Sequence, residues 1–151
     1  MKEEKSEASC AAVEIWFQMM RTHRALDRVL SAVVASEDLT IPQTEILAML
    51  SKKGPLPQQA LAEGLCVTKG NVAQVIDRLH RAGLLTRKEL KTDRRANLLQ
   101  ITPLGKQKLE RIHPKFISFL DKIFAGFTDT RSRKFIAELC ELERAARPDL
   151  D

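Results

Sequence analysis

From Ala11 to about Val34 the apolar side chains recur every three or four residues, through Val13, Trp16, Phe17, Met20, Leu26, Val29, Leu30 and Val33. That period puts them on one face of a long amphipathic helix. The polar segment SEDLT (36–40) breaks it, and Thr40 is placed to cap a second helix holding Ile46, Leu47, Met49 and Leu50, which Gly54-Pro55 stops. QQALAEGL (58–65) reads as a third, short helix. After a turn around Cys66 and Val67, Thr68 stands as the N-cap of a fourth helix, whose inward stripe is Val72, Val75, Ile76 and Leu79 and which Gly83 ends. The period then shortens: LLTRKEL (84–90) and ANLLQIT (96–102) read as two strands flanking the polar KTDRR (91–95). Thr102-Pro103 opens a long closing helix with proline in its first turn. The expected fold class is mainly α with a small β-hairpin.

Two helices joined by a short turn and followed by a basic hairpin have the layout of a winged helix-turn-helix, whose second helix enters the major groove. Charge sharpens this. Residues 68–111 hold eleven basic and four acidic side chains, a local excess of +7 in a chain of net charge +5, while both flanks are near balance. A single basic element in an otherwise balanced protein is the footprint of a duplex-binding surface. On the fourth helix Thr68, Lys69, Asn71 and Gln74 point outward near its start. The two amides can present donor and acceptor together to an adenine edge, and Lys69 can reach a guanine or a phosphate. Arg78 and Arg81 lie further along, at phosphate height. In the hairpin tip, beside Lys91, the Asp93 carboxylate can orient one guanidinium of Arg94 or Arg95 while the other enters a narrow minor groove. Any one of these residues alone reads as part of a solvated face; their position together favours DNA.

LAEGLCVTKGNVAQVIDRLHRAGLLTRKELKTDRRANLLQITPLG (61–105) resembles the winged-helix core of the MarR family of bacterial transcription regulators, with the Asp-Arg-Leu segment, the Gly-Leu-Leu exit, the Asp-Arg-Arg wing and the Ile-Thr-x-x-Gly exit in order. The flanking helices match by pattern, so the resemblance spans nearly the whole chain. It implies one domain over 1–151, with dimerisation helices at 11–36 and 104–147 around a reading core at 40–103. It further implies a homodimer on a pseudo-palindromic double-stranded DNA operator, usually repressing, and released by a small phenolic or aromatic ligand or by an oxidant. Three positions depart from the family pattern: Cys66 stands where the turn often has glycine, Pro57 replaces a capping Ser or Thr, and Gly70 sits in the first turn of the reading helix.

The aromatics bear independently on assembly. Trp16, Phe17, Phe116, Phe119, Phe124, Phe127 and Phe135 all lie outside 18–115, so the terminal helices carry the material for a second core, best completed by a second copy. Trp16, Met19, Met20 and His23 form a mixed set at one end of the first helix, able to line an effector pocket, although such a stripe is more often plain core. Cys10, Cys66 and Cys140 are odd in number and scattered, which reads as three reduced thiols. Cys10, near the expected start of the first helix, is where a redox-responsive alternative would act, its thiolate favoured by the helix dipole; no resolving partner stands near it in sequence. No metal spacing, phosphate-cradling glycine loop or nucleophile motif is present, so no cofactor, metal or catalytic residue is expected. The remaining rival is a winged helix used to dock proteins rather than DNA. With neither a signal peptide nor a membrane-length apolar run, a cytoplasmic protein is expected.

Overall fold

A computed structural model describes the backbone of residues 2–65, 69–90 and 93–146, and the side chains of 10–65, 70–88 and 98–146. The chain runs α1 (Lys2–Ala35), α2 (Ile41–Lys53), β1 (Leu56–Pro57), α3 (Gln58–Gly64), α4 (Lys69–Arg81), β2 (Leu85–Leu90), β3 (Asp93–Ile101), α5 (Pro103–Phe124) and α6 (Asp129–Ala146). It groups into two units, Met1–Phe116 and Ile117–Asp151, with the boundary inside α5.

The first unit is built around aliphatic side chains from every element between α1 and α5. Ile46, Leu47 and Leu50 of α2, Leu61 of α3, Val72, Ile76 and Leu79 of α4, Leu85 of β2 and Leu99 of β3 are all fully buried, joined by Val34 and Ile112. Each such side chain contributes about 2 kcal/mol through the apolar area it removes from water. Phe116 packs against this core, so one of the terminal aromatics belongs to the reading head and not to a separate cluster.

Local chemistry sets the element ends. Gln43 Oε1 accepts from the Thr40 backbone N–H at 2.8 Å and from its hydroxyl at 3.2 Å, satisfying a donor that the start of α2 would leave open. Helix α4 ends in a Schellman turn: Leu84 N–H donates to Leu79 O at 2.9 Å and Gly83 N–H to His80 O at 3.0 Å, with Gly83 at φ +70°. The end of α1 closes in the same way, with Leu39 N–H on Val34 O and Asp38 N–H on Ala35 O, but here the left-handed residue is Asp38, at φ +56°. Aspartate tolerates that conformation better than most side chains.

Four features depart from the sequence pattern. Helix α1 starts at Lys2 rather than Ala11, because Lys, Glu and Ala favour helix without the apolar period that marks one. The sheet has three strands in the order β1-β3-β2, since Leu56 and Pro57 pair with Leu99 and Leu98; a two-residue strand containing proline has no alternation to see. Asp93, Arg94 and Arg95 belong to the backbone of β3 and not to a turn. The closing helix is two helices, divided around Gly126, with Thr128 capping the second through a 3.4 Å bond from Arg131 N–H to its hydroxyl.

Candidate nucleic-acid interface

Helix α4 is held from below. Val72, Ile76 and Leu79 are buried and Val75 is partly so, which turns Asn71, Gln74 and Arg78 to the exposed side, at i, i+3 and i+7 along one line. The two amides and the guanidinium therefore share one line about 10 Å long, two helical turns, on an element that a major groove admits. Arg81, one turn beyond Arg78, bends back to its own helix, with Nε donating to Asp77 O at 3.3 Å. Lys69 opens the helix; its side chain, the Thr68 cap, the Cys66 turn, Lys91 and the side chains of Asp93, Arg94 and Arg95 lie outside the described residues.

Strands β2 and β3 follow directly. Leu85 pairs with Ile101 and Arg87 with Leu99, and the register shifts between Glu89 and Leu90 before Leu90 meets Asp93. Arg87 Nη2 donates to Asp77 Oδ1, so the first wing strand is tied to the reading helix by an ion pair. Reasoning from the sequence missed this pair. Its signal was present: an arginine two residues after buried Leu85 lies on the same side of the strand as that leucine, the side that faces α4 and its one carboxylate.

The basic segment is not one continuous surface. Lys108 Nζ donates to Glu37 O and lies 3.8 Å from Asp38, Arg111 is 3.3 Å from the Glu37 carboxylate, and Lys115 donates to Ser36 Oγ at 3.0 Å. Three cations of α5 thus hold the turn that ends α1, where carbonyls and acidic side chains converge. The Glu37 side chain is only 15% exposed, so this is a structural joint, and Lys108 and Arg111, counted in the basic excess of 68–111, are engaged within the chain. Arg87, paired with Asp77, is partly withdrawn as well.

The fold has counterparts among known proteins. Residues 39–96 match the model of the MarR family. An uncharacterised HTH-type transcriptional regulator of Bacillus cereus is 27% identical over 125 residues, 83% of each chain. A MarR mutant from E. coli complexed with operator DNA superposes with a TM-score of 0.79 at 19% identity, over 87% of this chain and 94% of that one. The Bordetella bronchiseptica regulator BpsR, whose DNA binding is regulated by 6-hydroxynicotinic acid, gives 0.75 at 20%, over 86% and 98%. The chain is thus similar to MarR-family regulators over most of its length. It is a DNA-binding winged helix-turn-helix transcription regulator, and the relatives it matches are regulators rather than enzymes.

The expected effector set is only loosely gathered. Trp16 is 58% exposed, His23 is exposed and Met20 half-buried. A groove of about 440 Å³ lies elsewhere on α1, lined by Arg21, Arg24, Ala25, Arg28 and Val29. Cys10 and Cys140 are exposed free thiols. Because α1 begins at Lys2, Cys10 sits well inside the helix, past the first turn in which a helix dipole acts, and the physical premise for a sensor there is lost. Among the described residues, no group of three His, Cys, Asp or Glu could hold a metal, and no helix is long and apolar enough to cross a membrane.

Proposed function

We propose that this regulator acts in the cytoplasm as a homodimer that represses from a pseudo-palindromic operator and leaves DNA when a small aromatic or phenolic ligand binds. The observation that carries the reading is the exposed Asn71–Gln74–Arg78 line on α4, beside a wing strand. In this reading Asn71 and Gln74 contact base edges, Lys69 a guanine or phosphate, and Thr68, Arg78 and Lys91 the phosphate backbone. Asp93 orients Arg94 and Arg95, one of which enters the minor groove. The whole chain, 1–151, works as one domain, with 40–103 reading DNA and 11–36 and 104–147 joining two copies.

Fluorescence anisotropy with duplexes selected by the protein from a random library tests the roles separately. Asn71→Ala or Gln74→Ala is expected to relax discrimination at one base-pair position by about 1–3 kcal/mol. Arg78→Ala is expected to weaken all duplexes alike and to lower the salt slope by about 1. Unchanged discrimination in both amide variants would take α4 out of sequence reading.

Release by an aromatic acid is supported by BpsR, whose named regulator is a hydroxylated pyridine carboxylic acid. Trp16 is the single tryptophan, so ligand binding at the Trp16, Met20 and His23 set is expected to quench or shift its emission. The same ligand should weaken DNA binding by the factor by which DNA weakens the ligand. A ligand that releases DNA with unchanged Trp16 emission would place the effector site elsewhere.

A further inference from the structure

Asp77 is the single acidic residue in α4; it is exposed, on the flank of the Asn71–Gln74–Arg78 line from which it reaches Arg87 of β2. A bare carboxylate there repels DNA. Its partner Arg87 follows the core along β2: on the same face of the sheet Leu85 and Ile101 are buried, and Leu99 is buried opposite Arg87. A core-side position of the wing strand is therefore filled by a guanidinium that reaches across to the reading helix. The pair is 43% and 53% exposed, and ion pairs this accessible contribute little to folding. It does fix a distance between two elements that must fit adjacent grooves. Strand β2 runs on about 10 Å from Arg87 to Leu90, past the register shift after Glu89, so a small rotation at Arg87 grows along the strand.

We propose that Asp77 and Arg87 brace the wing against the recognition helix, and that selectivity for the operator over other DNA depends on this brace. The inference rests on the DNA-reading role proposed above. Both are positioning residues: they act through the placement of α4 and the wing, whichever groups touch the bases. A carboxylate that served only as local charge would behave in the opposite way, since its removal would tighten every duplex equally.

The test uses the full chain, the tightest duplex it selects from a random library, and a random-sequence duplex of the same length, at one fixed physiological ionic strength. Asp77→Asn and Arg87→Met are each expected to lower the ratio of selected to random affinity about tenfold, the discrimination carried by roughly one base pair. Asp77→Asn should bind the random duplex as well as or better than the wild type, and its melting temperature should be unchanged. Asp77→Glu, which keeps the carboxylate, should retain most of the ratio. Equal tightening of both duplexes by Asp77→Asn would overturn the brace in favour of simple charge. A melting temperature that falls in step with the ratio would overturn it in favour of a folding role. If the unsubstituted protein selects no duplex, it is the DNA-reading role that fails, and the brace falls with it; that failure is visible in the wild type alone.

Discussion

Gly105→Ala is expected to destabilise the winged core by about 3 kcal/mol, lowering its melting temperature by roughly 10 °C, and to take operator binding down with it. A Cβ at this position would collide with the Leu84 carbonyl oxygen and stand 2.8 Å from Ile101 Cγ1. The carbonyl cannot yield easily, because it accepts from Thr102 N–H at 3.0 Å. Thr102 fastens the same joint twice more: its hydroxyl donates to Gly83 O at 2.8 Å and accepts from Gly105 N–H at 3.1 Å. The first turn of α5 thus lies directly on the Schellman turn that ends α4, with Leu84, Leu85 and Ile101 buried around it. Moving α5 outward to fit a methyl group would open that packing and release the end of the recognition helix. Gly70→Ala is the control. A Cβ there meets nothing within 4 Å, and alanine in place of glycine in a helix is expected to stabilise by about 0.5–1 kcal/mol. Thermal and urea denaturation read both. A Gly105→Ala protein that melts like the wild type would show that α5 can shift on the turn, and would remove the close approach from the account of this fold.

Glycine at 105 was visible in the sequence as part of the Ile-Thr-x-x-Gly exit, but its reason was not, since the atom it avoids belongs to a turn twenty-one residues earlier. The same distinction runs through the chain. Thr40, Gly54, Gly83 and Pro103 announce helix ends through their own conformational preferences, and the stripe Val72, Ile76 and Leu79 fixes which side of α4 faces out. Hence the Asn71, Gln74 and Arg78 line could be read directly. What sequence spacing cannot carry is a partner contributed from a distance. Lys108 and Arg111 count toward the basic excess of 68–111 until Glu37 and Asp38, some seventy residues away, are brought against them. Arg87 read as one more cation of the wing until α4 placed Asp77 beside it. Strand β1 exists because Leu98 and Leu99 offer an edge, and nothing within Leu56-Pro57 predicts it.

Ile136→Asp and Phe17→Asp are expected to turn a dimer into folded monomers that have lost operator binding, although neither residue lies on α4 or the wing. Helix α6 has no buried residue among those described, yet Phe135, Ile136, Leu139 and Leu142 are all exposed along it. On α1, Val13, Trp16 and Phe17 are exposed too. Apolar surface of this kind on each of the two helices is what an interaction uses, and a second copy is the partner that the proposed two-half-site operator also requires. The choice of substitution matters. Phe135 stacks edge-on with Phe127 at 5.6 Å, Phe127 with Phe124 at 5.2 Å, and Arg131 covers Phe127 at 4.1 Å, so Phe135→Asp would damage the chain itself. Ile136, 58% exposed, has little to lose in the monomer, and its loss reports on assembly alone. A carboxylate buried without a partner costs several kcal/mol, which raises the dimer dissociation constant about 100-fold or more. One recognition helix touches only a few base pairs, so the monomer should retain non-specific binding and fall roughly 1,000-fold short on the operator. Light scattering at micromolar concentration reads the assembly, circular dichroism the fold, and anisotropy the binding. A wild type that scatters as a monomer and still binds its operator tightly would sink the dimer, as would a folded Ile136→Asp monomer with undiminished operator affinity.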